Sequence, residues 1–145
     1  MKQIAVSANG RFVYSFATFA VLILSGLLPA ESSTGHKPVT YINSVDEFKE
    51  VIESSEDRLL VFDLYADWCM PCKILGPRLE KVAADNQKQA SVYKINVDKH
   101  PGIAGMFGVR GIPYVVFVKE KTAIHAITGV QPEGVYDSAI KKYYK

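Results

Sequence analysis

The chain has 145 residues, of which 48% are hydrophobic, 22% charged and 11% aromatic. At about 150 residues per domain that is one domain, and the apolar fraction excludes wholesale disorder, while 10 glycines, 7 prolines and two cysteines exclude a collagen-like chain and a multi-bridge disulfide framework. The formal net charge of +2 lies wholly in residues 1–30, which hold Lys2 and Arg11 and no acid, so nothing forces the basic face that a nucleic-acid partner needs.

Residues 1–30 read as an address. A polar start containing Lys2 and Arg11 precedes an uncharged apolar run, Phe12 to Leu28, and then Pro29-Ala30. A positive start, an apolar middle and a small-residue end make the pattern of a secretory signal peptide, with cleavage expected after Ala30. An uncleaved membrane anchor is the rival, because the run sits at the short edge of the roughly 17–25 residues that span a bilayer. No cysteine follows the run, so a lipid-modified N-terminus is not indicated. Export would place both cysteines where a disulfide persists. Residues 31–38 are polar and linker-like, leaving a domain over 39–145.

Along that domain, Val39-Thr-Tyr-Ile42 is β-branched and aromatic and predicts a strand. Ser44 and Glu47 form a capping box, and a helix is expected from Val45 to about Ser54 with Phe48, Val51 and Ile52 on one face. Leu59 to Tyr65 is apolar on both alternating faces, as in a strand covered on both sides. A helix follows from Cys69 to about Gln87, with Leu75, Leu79, Val82 and Ala83 on its apolar side and a kink expected at Pro77. Ser91–Val97 alternates as a strand, Pro101–Phe107 is a short helix, and Tyr114–Val118 and Thr122–Thr128 are strands joined by the charged turn Lys119-Glu-Lys121. A last helix runs from Pro132 to about Tyr144. Strands alternating with helices, then a hairpin and a helix, predict an α/β fold with a mixed sheet between helices.

The chemistry is expected at Trp68-Cys-Met-Pro-Cys72, just past the doubly covered strand. Cysteines at i and i+3 on a first helical turn share a face, so their sulfurs can bond without unfolding the helix. Cys69 at the helix N-terminus gains from unpaired N–H groups and the helix dipole, which favour the thiolate. Cys72, one turn in and less exposed, can then resolve a mixed disulfide formed at Cys69. Pro71 restricts the turn between them. Three other readings stand beside this one. A structural disulfide would constrain little chain entropy over so short a loop. Half a zinc site would need partners from His36, His100 and His125, which show no metal-type spacing. The pair could also be two unrelated buried thiols.

Three segments carry a resemblance: Phe62-Asp-Leu-Tyr-Ala-Asp-Trp-Cys-Met-Pro-Cys-Lys73, Lys94-Ile-Asn-Val-Asp98 and Phe107-Gly-Val-Arg-Gly-Ile-Pro113. In that order and spacing the chain resembles the thioredoxin family, from about Val39 to Tyr144, and specifically an exported, periplasmic bacterial thioredoxin-like protein. The resemblance implies the thioredoxin fold and a thiol–disulfide oxidoreductase with no cofactor and no metal. It implies Cys69 as nucleophile, Cys72 as resolving thiol and a Cys69–Cys72 disulfide. Asp63 matches the family's buried acid, a proton shuttle for Cys72 with a raised pKa. Lys94 matches the lysine beside that acid, and Pro113 the cis-proline facing the disulfide, next to which the Ile112 backbone is free to pair with an extended substrate. Trp68, Met70, Gly111, Gly129 and Tyr65 are expected on the substrate-facing surface.

The chain departs from the family at three positions. Met70 stands for the usual glycine between the cysteines, Tyr65 for a common tryptophan and Tyr114 for a common small residue after the proline. No positive charge stands between the cysteines, which favours a reductant over a strong oxidant. The leading expectation is therefore a monomeric, exported reductant of protein disulfides fed by a membrane thiol electron donor. The alternatives are a disulfide oxidase or isomerase with a membrane or small-molecule oxidant, and a redox-inert binding or chaperone module.

Overall fold

A computed structural model describes residues 38–55 and 57–145. The expected address and most of the linker lie outside them. Nine elements follow in order: β1 (Val39–Tyr41), α1 (Val45–Glu53), β2 (Leu59–Tyr65), α2 (Met70–Asp85), β3 (Ala90–Asn96), α3 (Pro101–Met106), β4 (Tyr114–Lys119), β5 (Thr122–Thr128) and α4 (Glu133–Tyr143). The strands form one sheet in the order β1-β3-β2-β4-β5. β1, β3 and β2 are parallel, and β4 runs antiparallel to both β2 and β5. This is the expected mixed sheet of an α/β fold. Among the described residues no helix is long and apolar enough to cross a membrane.

The two-residue periodicity of a strand divides the core. Leu59 and Val61 of β2 join Leu75, Leu79 and Val82 of α2 and Tyr136, Ala139 and Ile140 of α4 on one face. Leu60, Phe62 and Leu64 join Phe48 of α1 and Ile103 of α3 on the other. β2 is central and covered on both sides, so its apolar run has no polar alternation. The consequence for function is that Asp63, between Phe62 and Leu64, projects to the α2/α4 side with no route to bulk water along its own strand.

Local details refine the expected elements. Ser44 Oγ accepts from the Glu47 N–H at 3.0 Å, but Glu47 Oε2 accepts from Asn43 N at 2.8 Å, one residue upstream of the residue a capping box uses. α2 begins at Met70, with Cys69 as its extended cap residue (φ −78°, ψ 102°), and it continues through Pro77 to Asp85. The β4–β5 turn places two non-glycine residues, Glu120 (φ 50°) and Lys121 (φ 62°), in the left-handed region, as a two-residue hairpin turn demands.

Candidate active site

The site sits where β2 hands over to α2. Val97 N–H bonds to Tyr65 O at 2.9 Å and Cys69 N–H to Ala66 O at 3.1 Å, so the loop turns back at once into the helix. Cys69 caps α2 with its own sulfur: Sγ accepts from the Cys72 N–H at 3.2 Å. The cap position puts the sulfur against the free N–H groups and the positive end of a 16-residue helix. The two cysteines are joined as a disulfide, S–S 2.11 Å, with Cα atoms 5.3 Å apart. Pro71 lies in the first helical turn between them and leaves no N–H unsatisfied there.

Cys69 and Cys72 are 3% and 4% exposed. The expectation that Cys69 is the more exposed of the two therefore fails in the oxidised protein, because both sulfurs are shared in one bond and packed by Ala66, Tyr65, Val97 and Ile112. Around this buried pair stands an apolar rim. Trp68 is 68% exposed and Met70 65%, with Ile74 one turn beyond Met70 also exposed. The Trp68 indole is held by donating Nε1–H to Asp98 Oδ2 at 2.9 Å, and Asp98 is itself placed by its N–H bond to Asn96 Oδ1.

The proline loop closes the far side. The Ile112–Pro113 peptide is cis, Pro113 is buried, and Ile112 packs on the cysteine cluster. Gly111 is exposed in the bend before it. Gly129 adopts φ +79° and donates its N–H to Pro113 O at 2.8 Å, tying the end of β5 to the proline. Tyr136 Oη in turn donates to Gly129 O at 3.2 Å. Tyr114 is half-buried at the start of β4, opposite Thr128.

On β2, two residues before the strand ends at Tyr65, Asp63 is fully buried and neither of its carboxylate oxygens makes a hydrogen bond. Burial pushes its pKa up to about 6, against the opposing pull of the Lys94 ammonium. Lys94 faces Asp63 across the parallel β2–β3 register, with Nζ 3.9 Å from Oδ2. A cleft of about 240 Å³ is lined by Lys94, Tyr65, Gly76 and Cys72, so the partner of the acid and the resolving cysteine open onto one space. An acid with a pKa near neutrality can exchange a proton at working pH.

Sequence reading did not single out Tyr41, Gly76, Asp98 or Tyr136. Asp98 lay within a motif and carried a signal that went unused; the other three meet the site only through tertiary register. Among the described residues no group of three or more metal-ligating side chains converges. His125 packs between the Phe117 and Tyr143 rings, and His100 is the cap residue before α3.

Comparison with known proteins agrees with this geometry. A family model described as Thioredoxin matches residues 39–142. The chain is 34% identical over 94 residues to a thioredoxin of Chlorobaculum thiosulfatiphilum, covering 65% of this chain and 85% of that protein. It is 34% identical over 113 residues to an M-type chloroplastic thioredoxin of Spinacia oleracea, covering 78% of this chain but 61% of the relative's length. The crystal structure of Malassezia sympodialis thioredoxin superposes with a TM-score of 0.67 at 34% identity, over 74% of this chain and 91% of that one. A sheet of this order, a disulfide capping the helix after its central strand, and a match over residues 39–142 place the chain in the thioredoxin family of thiol–disulfide oxidoreductases.

Proposed function

We propose that the protein is an exported dithiol reductant of protein disulfides. In the reduced protein the Cys69 thiolate attacks a substrate disulfide, forming a Cys69–substrate bond and releasing one substrate thiolate. Cys72 then gives its proton to the Asp63 carboxylate and attacks Cys69 Sγ, releasing the second substrate thiolate and forming the Cys69–Cys72 disulfide. The substrate gains two electrons and the pair loses two, so each turnover needs a thiol donor to reduce the pair again. An exported protein would draw on a membrane thiol carrier.

The observation that carries this reading is the site itself: a helix-capping sulfur with no cationic side chain between the cysteines, following a strand that holds a buried acid. The exposed rim of Trp68, Met70 and Ile74 supports an apolar segment of a protein substrate as the entrant. Equilibration of the purified protein against glutathione tests the direction. A potential near or below about −250 mV supports the reductant, whereas one above about −180 mV makes it an oxidase or isomerase. Replacing Cys69 by Ser separates both from a binding module, which would keep its activity.

The address rests on sequence. One relative, an M-type chloroplastic thioredoxin of Pisum sativum, aligns over 98% of this chain, which favours an organelle leader as a second reading. The continuous uncharged run Phe12–Leu28 fits a secretory segment better, since organelle leaders are Arg- and Ser-rich and amphipathic. Locating the full chain in fractionated cells, with N-terminal sequencing of the mature protein, decides between them.

A further inference from the structure

Lys94 is held by more than its acid. On the sheet it stands between Tyr41 of β1 and Asp63 of β2, directly opposite each in register. Its Nζ lies 4.8 Å from the centroid of the Tyr65 ring and 5.7 Å from that of Tyr41. Both distances fall within the ~6 Å over which a ring face attracts a cation. The rings meet edge to face with centroids 6.3 Å apart, making two walls of one socket. α2 supplies the third side by leaving room: a Cβ at Gly76 would stand 3.2 Å from Nζ, closer than ordinary van der Waals contact.

This socket answers a question that the ion pair leaves open. At 3.9 Å the ammonium and the Asp63 carboxylate are in charge contact but not hydrogen-bonded. A flexible four-carbon side chain is not held in place by such a contact alone. The ring faces and the absent side chain at residue 76 restrict where the charge can go. Burial, with Asp67 nearby, pushes the Tyr65 phenol up, so the ring carries no charge of its own over the range in which Asp63 titrates.

We propose that Tyr41 and Tyr65 are positioning residues for the proton transfer at Cys72: their ring faces, with the room left by Gly76, hold the Lys94 ammonium beside the Asp63 carboxylate. The proposal deepens the exchange reading and rests on it for the role of Asp63. Among the described residues few other ionisable groups face Asp63. Tyr136 comes from α4, Tyr65 from its own strand, and Cys72 of α2 lines the cleft that Lys94 also lines, while β4 presents Val115. Lys94 is therefore the cation whose position governs the acid. A held ammonium favours the carboxylate, and a released one lets Asp63 keep its proton to higher pH and accept less readily from Cys72.

The test reads Asp63 directly, from its carboxyl 13C shift against pH in the oxidised full chain. The variants are Tyr65→Phe, Tyr65→Leu, the double Tyr41→Leu/Tyr65→Leu, and Lys94→Met as the reference for a lost ammonium. The double leucine variant is expected to titrate about one pH unit higher than wild type, close to Lys94→Met. Tyr65→Phe keeps a ring face and is expected to stay near wild type. A double variant that titrates like wild type, or lower, overturns the proposal. So does a Phe variant that moves as far as the Leu variant, since the hydroxyl and not the face would then matter, or a Lys94→Met variant that does not move. Tyr41 is exposed and Tyr65 only half-buried, so the replacements should fold; Tyr41→Leu alone, with a smaller rise, serves if the double does not. No turnover is involved in this titration. A wild-type protein without disulfide reductase activity sinks the exchange reading, whereas normal turnover with an unmoved titration sinks the socket alone.

Discussion

Replacing Asp63 by Asn should stabilise the protein in a pH-dependent way. The side chain is fully buried without a hydrogen bond, and its folded pKa is about 6 against 3.8 for the free carboxyl. The native state therefore binds this proton more tightly than the unfolded chain does. Stability from the group is complete below the unfolded value of 3.8 and is lost as pH rises through about 6. A shift of this size corresponds to about 3 kcal/mol lost at pH 7 and less than about 1 kcal/mol at pH 4. Asn carries no ionisable group, so the stability difference between variant and wild type should grow by about 2 kcal/mol in favour of the variant between pH 4 and pH 7. Taking the change with pH cancels the fixed effects of exchanging an oxygen for an amide. The assay is urea unfolding of the oxidised proteins at the two pH values, with linear extrapolation. A difference that does not vary with pH would refute the burial argument and with it the near-neutral acid that the proposed proton shuttle needs.

Other sites give independent outcomes. Cys72→Ser should leave the attack by Cys69 intact but remove resolution, so the protein should accumulate as a mixed disulfide with a protein substrate, seen on non-reducing gels; Cys69→Ser should trap none. Gly129→Ala should lower stability by about 1–2 kcal/mol, the backbone cost of φ +79°, since its Cβ would meet no atom within 4 Å; calorimetry measures it. The paired change Glu120→Asn, Lys121→Gly should raise stability by about 1 kcal/mol, because Asn-Gly suits the left-handed turn conformations that Glu and Lys occupy at a cost, and denaturant unfolding checks this against the loss of the Lys121–Glu53 ion pair.

Much of this protein follows from local pattern. Period-two apolar residues, a doubly apolar strand and an i, i+3 cysteine pair at a helix start are properties of short stretches, set by strand pleat and helical pitch, and they place β2, α2 and the cysteine pair without reference to distant residues, while the resemblance implied that the pair forms a disulfide. The resemblance supplied roles for Asp63 and Lys94, and burial supplied the reason: a carboxylate in an apolar strand is a poor anion wherever that strand is covered. Other features depend on which strands lie side by side. Tyr41 and Lys94 are 53 positions apart and become neighbours only because β1 pairs parallel with β3. Gly76 matters only because α2 crosses that same face above Lys94. Gly129 reaches Pro113 only through the β4–β5 hairpin. The residues by themselves determined which groups carry the chemistry, because reactivity belongs to side-chain type and local backbone. The tertiary structure alone decided what surrounds them, because sheet register and helix crossing bring together side chains whose proximity no local periodicity encodes.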